Sequence, residues 1–166
     1  MTLSALMKSG GSRHYWLKPI GLHDRPMERQ PEVFPESELN IHFHTDPAAV
    51  AEGDILIGFR TGKSKLIWVA ERLAGGPCPS EDDKTMLGWV RERFPWFYKA
   101  RNLTPEFGIR WDQHKLKPFT LVDEYNAAHS DKQPMSLGAL QFGNDKLQIE
   151  QQFAEFLIRK ILECDS

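Results

Sequence analysis

The stretch from Glu52 to Glu71 constrains the fold more than any other part of the sequence, because two short apolar strands follow each other closely there. The first strand is predicted over residues 54–60 and the second over residues 65–73. Thr61-Gly-Lys-Ser64 connects them. A four-residue connection that contains glycine suits a hairpin, because glycine adopts positive φ angles at little cost. We therefore predict an antiparallel pair of strands.

The remaining predicted elements mix strands and helices without strict alternation, which disfavours a Rossmann-like parallel sheet. Further strands are expected over residues 13–20, 39–44, 96–103 and 135–142. Helices are expected over residues 46–52, 80–94 and 123–129 and from Asn144 to the end of the chain, with an extended segment over residues 115–122. We predict the α+β class: a small mixed β-barrel flanked by helices. One domain is expected over residues 13–166, after a flexible arm over residues 1–12.

Composition limits the classes of function. The chain has 166 residues and a net charge of −2, so it is not basic overall, and any phosphate contact has to come from a local patch. Cys78 and Cys164 have neither metal-type nor disulfide-type spacing, which favours reduced thiols and a cytoplasmic location. The sequence contains no apolar run long enough for a membrane span. Nothing in it calls for a cofactor, and it leaves the oligomeric state open.

Large aromatic residues are the first candidates for binding, since the chain has five tryptophans. Trp89 lies in a predicted helix and is expected to pack. The others are predicted to stack on a planar ligand, each with core packing as the alternative; they are Trp16, Trp68, Trp96 and Trp111. Stacking of one base on an aromatic ring contributes roughly 1–3 kcal/mol but does not select the base. Thr61 and Ser64 are the favoured partners for the base edge, with Asn102 and Ser136 as further candidates.

Basic residues near these aromatic residues form a second set. The predicted phosphate contacts are Arg60, Lys63, Lys65, Lys99 and Arg101. Arg110, Lys115 and Lys117 lie close to them in the sequence. Such contacts position a nucleic acid without reading its sequence. The alternative is a solvated rim of charges around the domain.

Patterns of catalytic or metal-binding residues are weak. His42 and His44 have the spacing of two ligands on one face of a strand, but zinc needs three or four ligands. The segment from Gly58 to Ser64 ends in Gly-Lys-Ser, but one residue too few separates its glycines for a phosphate-binding loop. No nucleophile elbow is present. We therefore predict no catalytic residue and no metal site, and we favour a binding protein over an enzyme.

Three segments together resemble the EVE domain of the PUA-like superfamily. They are Tyr15-Trp-Leu-Lys18, Glu52-Gly-Asp-Ile-Leu-Ile-Gly-Phe-Arg-Thr-Gly62 and Leu66-Ile-Trp-Val-Ala-Glu71. The resemblance covers residues 13–163 and implies a PUA-like barrel that recognises a modified base, flipped out of DNA, in an aromatic pocket. The related ASCH and YTH branches imply RNA as a second possible partner. The chain departs from the family where Lys18 is followed by Pro-Ile-Gly instead of Ser-Glu-Pro, and where Arg60-Thr61 replaces His-Ser.

Two other functions stay open at the level of sequence. A small ASCH-like enzyme or a binder of free nucleotides or nucleosides would use the same pocket. A protein-interaction module would use the aromatic residues as core and the basic residues as a solvated rim. Our leading prediction is a non-enzymatic domain that binds DNA or RNA and recognises a nucleobase, with a modified base as the favoured ligand.

Overall fold

The computed structural model describes residues 2–9, 11–20, 37–60, 65–84, 88–141 and 145–164. Its helices are α1 (Leu3–Lys8), α2 (Gly88–Arg93), α3 (Pro118–Ala128), α4 (Gly138–Gln141) and α5 (Gln151–Glu163). Its strands are β1 (Tyr15–Ile20), β2 (Glu38–Phe43), β3 (Ile55–Arg60), β4 (Leu66–Arg72), β5 (Cys78–Pro79), β6 (Trp96–Asn102), β7 (Ile109–Arg110) and β8 (Leu147–Ile149). Two 3₁₀ turns cover Ser80–Asp82 and Pro105–Phe107.

The strands of the described residues form one open sheet, and the fold is mixed α+β as predicted. The strand order is β2-β6-β4-β3-β1-β8, with β5 beside β6 and β7 beside β4. Only β1 and β3 pair in parallel among the described strands; the other pairings are antiparallel. The expected closed barrel does not form, because β2 and β8 end the order without pairing with each other.

Asp145 joins these two edges through its side chain instead of a strand ladder. Its Oδ2 accepts a hydrogen bond from the backbone N–H of His44 at 2.6 Å, just after β2, and its Oδ1 accepts one from the hydroxyl of Thr45 at 2.6 Å. Lys146, one residue before β8, donates to Thr45 Oγ1 at 2.9 Å. The sheet therefore curls until β2 approaches β8, and side chains bridge the gap.

Side chains alternate between the two faces of the curled sheet and form two separate cores. The outer face packs against α1, α3 and α5; its residues include Leu17, Ile57, Val69, Leu121 and Phe153. The inner face is enclosed by the sheet itself and consists of Trp16, Ile41, Phe43, Val50, Leu56, Trp68, Ala70, Tyr98 and Ala100. Residues from β1 and β2, at or near opposite edges, meet in this second core.

Several local predictions are confirmed, since the strands expected over residues 13–20, 39–44, 54–60, 65–73 and 96–103 are all present. The hairpin connection over residues 61–64 lies outside the described residues. Helix α3 overlaps the helix expected over residues 123–129, and α2 covers the end of the one expected over residues 80–94.

Other local predictions differ from the structure. Residues 3–8 form a helix rather than a flexible arm, because Leu3 and Leu6 are buried in the outer core. Residues 46–52 form turns, and Pro118 begins α3 instead of continuing an extended segment. The strand predicted over residues 135–142 is replaced by α4 in its second half. The closing helix begins only at Gln151, because residues 147–149 pair with β1.

None of the helices in the described parts of the chain is long and apolar enough to cross a membrane.

Candidate functional site

Trp68 forms the floor of the inner face, where it covers a glycine. The register places Gly58 of β3 between Lys18 of β1 and Trp68 of β4. A Cβ on Gly58 would lie 2.3–2.5 Å from three atoms of the Trp68 ring system. The indole therefore lies on bare backbone and is only 2% exposed.

Trp16 occupies the same face and is fixed by a buried carboxylate. Its Nε1 donates to Asp54 Oδ2 at 3.0 Å, and Asp54 also accepts hydrogen bonds from the backbone N–H groups of His14 and Ala51 at 3.0 and 2.9 Å. Trp16 is 6% exposed. Both indoles are thus held in one orientation by specific partners.

Lys18 projects onto the inner face beside these rings and is the least expected member of the site. It is 2% exposed, and its Nζ lies 5.3 Å from the centre of the Phe43 ring. Within the described residues its one hydrogen-bond acceptor is the carbonyl of Pro19, at 3.1 Å. Burial lowers the pKa of Lys18 to about 8, although the charge of Asp145 acts in the opposite direction. Among the described residues, the ammonium group thus uses one of its three N–H donors, and aromatic rings surround it.

One end of the sheet carries a cluster of cations, which we call the basic end: Arg60, Lys65, Arg110 and Lys117. Because β1 and β3 are parallel, Arg60 ends β3 next to Ile20 at the end of β1. Strand alternation places the Arg60 side chain on the inner face with Gly58 and Lys18. Lys65 precedes β4 at the same end.

Trp111 lies at the centre of the basic end rather than on the inner face. Its ring packs against the outer core, and its Nε1 donates to the carbonyl of Arg60 at 2.9 Å. The ammonium groups of Lys65 and Lys117 lie 5.8 and 6.0 Å from its ring. Arg110 forms a two-fold ion pair with Asp112, through Nε at 3.2 Å and Nη2 at 3.0 Å. Both lysine ammonium groups thus lie within the distance of a cation–π interaction with the Trp111 ring.

The structure therefore brings some of the predicted site residues together and separates others. Trp16 and Trp68 share the inner face, and the alternation of β6 places the half-buried Trp96 on the same side as Tyr98. Trp111 is separated from them by the sheet. Thr61, Lys63 and Ser64 lie outside the described residues. A single cleft lined by all four predicted tryptophans is thus replaced by an inner face and an adjoining basic end.

Two predicted phosphate contacts lie elsewhere. Lys99 and Arg101 are exposed on β6, on the side opposite Tyr98 and Ala100. Arg101 stands in register with Glu38 on one neighbouring strand and with Glu71 on the other. Cross-strand neighbours of opposite charge interact favourably, which explains an arginine at this position without a ligand.

Two histidines, one in β2 and one just after it, each lie next to a carboxylate. His42 Nε2 lies 3.1 Å from Asp83, and His44 Nδ1 lies 3.2 Å from Asp145. Burial lowers the pKa of His42, while the charge of Asp83 opposes that shift. In the described parts of the chain no group of three or more His, Cys, Asp or Glu side chains is arranged to hold a metal ion.

Sequence reasoning missed Lys18 and Asp54 as members of the site. A signal for Lys18 was present, because Trp16, Lys18 and Ile20 alternate on one face of a strand that opens with an aromatic residue. Asp54 precedes β3 and gave no local sign of its three hydrogen bonds.

Comparison of the chain with protein-family models found no match, and comparison with curated proteins found none either.

Proposed function

We propose that this protein is a non-enzymatic binder of nucleic acid that holds one nucleobase, preferably a modified one, at its inner face. The observation that carries this proposal is the buried ammonium group of Lys18 beside Phe43, Trp16 and Trp68. We also propose that the fold belongs to the PUA-like group, with an EVE-type ligand site.

Energetics support a ligand next to Lys18. Burial of a charged amine costs free energy unless hydrogen bonds compensate it, and within the described part of the chain the carbonyl of Pro19 accepts from one of the three N–H groups. Nucleobases present carbonyl oxygens and ring nitrogens as acceptors, and lysine is a frequent partner of such atoms. Lys18, Trp16 and Trp68 are 2–6% exposed, so a base has to displace the side chains that cover them; it would then accept hydrogen bonds from Lys18 and lie among aromatic rings. Binding of a base would then offset part of the free energy that burial of the Lys18 ammonium group costs in the unbound protein.

The basic end supports a phosphate contact next to this base. Trp111 joins the two regions, since its Nε1 is bonded to the backbone of Arg60 while the Arg60 side chain faces the inner core. Lys65 and Lys117 beside Trp111 would neutralise backbone phosphates. Such contacts set the position of a strand, whereas the inner face would recognise the base. The net charge of −2 does not oppose this arrangement, because a local cationic patch is sufficient.

The resemblance to EVE domains supports the same function. Lys18 is the last residue of the Tyr15-Trp-Leu-Lys segment that carries the resemblance, and Trp68 lies in the Leu66–Glu71 segment. The two segments thus meet on the inner face around Gly58.

A binding experiment tests the proposal. Fluorescence anisotropy would be measured with short single-stranded DNA and RNA that contain cytosine, 5-methylcytosine or 5-hydroxymethylcytosine, at low and at physiological salt. We expect binding that weakens with salt and at least one modified base that binds more tightly than its parent. Charge reversal at the basic end, Lys65→Glu with Lys117→Glu, should weaken binding to every oligonucleotide by more than tenfold.

The matched control is Lys84→Glu with Lys132→Glu, which makes the same change of charge at two exposed lysines outside the site. Equal losses in both double variants would show that net charge alone drives binding. Absence of binding to every oligonucleotide would contradict the proposed function. Free nucleoside monophosphates serve as competitors, because displacement at equal concentration would favour a binder of free nucleotides instead.

A further inference from the structure

Phe107 is the large hydrophobic side chain that the described part of the chain exposes to solvent. It is 42% exposed and lies in the turn Pro105–Phe107, between β6 and β7. One exposed apolar side chain is common in soluble proteins. Phe107 is unusual because the backbone around it is both constrained and tied to the sheet.

The backbone of this turn adopts positive φ angles, which residues other than glycine rarely have. Glu106 has a φ angle of 52° and Phe107 one of 64°. A positive φ is a notable outlier for a bulky residue, and such outliers concentrate at functional sites. The neighbouring Gly108 has a φ of 162°, which is ordinary extended backbone, so it does not relieve the turn.

Specific hydrogen bonds hold the turn in place. Asn102 Nδ2 donates to the carbonyl of Phe107 at 2.8 Å, and the Phe107 N–H donates to Thr104 O at 3.0 Å. Thr104 is itself buried, and its hydroxyl accepts from the N–H of Val69 at 2.6 Å. The aromatic ring is thus presented to solvent by a rigid support.

The turn that carries Phe107 connects β6, whose Tyr98 and Ala100 belong to the inner face, with β7, which leads to the basic end. Asn102 is in register with Ala70 on β4, and Ala70 shares the inner face with Trp68. On its other side, Phe107 is followed by β7, which pairs with the start of β4 and leads to Arg110 and Trp111 of the basic end. The turn that carries Phe107 therefore lies beside β4, between the pairing of β4 with β6 and its pairing with β7.

We propose that Phe107 is a wedge that enters the base stack of duplex DNA and fills the space of the base held at the inner face. This inference rests on the proposed function and extends it to a double-stranded ligand. Apolar side chains, phenylalanine among them, separate base steps in several classes of DNA-binding protein. Removal of a base from a duplex costs unstacking and unpairing, and a wedge offsets part of that cost.

The test compares duplex with single-stranded DNA of one sequence, because only the duplex requires a wedge. Phe107→Ala should weaken binding to the duplex by about tenfold and leave binding to the single strand unchanged. Phe107→Leu, which keeps an apolar wedge, should retain most of the duplex affinity. A 2-aminopurine placed at the target position should brighten with the wild-type protein and much less with Phe107→Ala.

The outcomes separate this inference from the proposed function. Equal weakening of duplex and single-strand binding by Phe107→Ala would overturn the wedge, and so would unchanged duplex binding with full 2-aminopurine brightening. Wild-type binding to single strands but not to duplex would also overturn it, with the base-binding function intact. Thermal unfolding of each variant shows that the fold is unchanged.

Discussion

The indole of Trp68 lies against the backbone of Gly58 so closely that a methyl group at position 58 would stand 2.3 Å from its nearest ring atom. The two residues face each other across β3 and β4, and they form the floor of the inner face. The position of the Trp68 ring is therefore set by the absence of a side chain on its neighbour.

Gly58→Ala should destabilise the protein by about 1–3 kcal/mol, because the ring has to move within a packed core. Urea unfolding monitored by tryptophan fluorescence measures this change. Trp68→Phe combined with Gly58→Ala should recover part of the loss, since a smaller ring leaves room for the methyl group. Gly88→Ala is the control: its new Cβ would meet nothing closer than 3.9 Å, so no loss is expected. Equal stability of Gly58→Ala and wild type would contradict the close contact.

Replacement of Lys18 by methionine should stabilise the folded protein. Burial lowers the pKa of Lys18 from its ordinary value of 10.5 to about 8, so the unfolded chain binds this proton more tightly than the folded chain. Stability should therefore rise with pH between about 8 and 10.5, and the cost at neutral pH is of the order of 3 kcal/mol. Lys18→Met should gain up to about that amount and lose the rise with pH.

Urea unfolding at pH 7, 8, 9 and 10 measures this dependence. Lys84→Met, at an exposed lysine, is the matched control and should follow the wild-type curve. The Lys18 variant removes a positive charge that favours the ionised form of the buried Asp145, which offsets part of the gain, whereas the hydrogen bonds from His44 and Thr45 to that carboxylate do not involve Lys18. A Lys18→Met protein less stable than wild type at pH 7 would show that the amine is satisfied in the free protein.

Asp54→Ala should be strongly destabilising, because three buried or half-buried N–H groups lose their acceptor. These donors belong to His14, Ala51 and the Trp16 indole. A buried unsatisfied donor costs about 1–3 kcal/mol, and of these three hydrogen bonds the one from Trp16 is fully buried, so a total loss of about 2–3 kcal/mol is expected in urea unfolding. Asp46→Ala removes one exposed hydrogen bond, to Ala48, and should cost less than about 1 kcal/mol. Similar losses in the two variants would contradict the proposed importance of the buried carboxylate.

Asp145→Ala should loosen the edge strand β2 without unfolding the sheet. Burial alone would raise the pKa of Asp145, but the charge of Lys18 and hydrogen bonds from Thr45 and His44 hold it below its ordinary value. The ionised carboxylate therefore stabilises the folded state above the ordinary pKa, and that contribution is lost as the pH falls through the lowered pKa. Hydrogen exchange should accelerate in β2 and at residues 44–45 in the variant, with little change in β3. Unchanged exchange in β2 would show that Asp145 does not hold the edge.

Strands with clear alternation or an apolar run were predictable from the sequence. Short helices and short strands were not. Residues 55–59 and 66–70 are apolar throughout and lie between turn signals, which is typical of central strands. Strand β8 has only three residues, and its sequence continues the helical pattern of α5, so its pairing with β1 decides its conformation. Pro118 was a missed signal, because proline is favoured in the first turn of a helix.

The candidate site was predictable in its residue types but not in its arrangement. Trp16 and Trp68 come together because they share a face on strands that flank β3, which requires the parallel pairing of β1 with β3. Trp111 follows the two-residue strand β7, whose place beside β4 has no local signature. The charges of Lys99 and Arg101 gave no indication of their face, because the direction of β6 relative to the core follows from long-range pairing.

The most direct test of the central claim is the affinity of Lys18→Met for the modified oligonucleotide that the wild-type protein binds best. We predict a loss of tenfold or more in affinity from a variant that is more stable than wild type, because the buried ammonium group that destabilises the free protein is the group that donates hydrogen bonds to the base. Undiminished affinity in a well-folded Lys18→Met protein would contradict it.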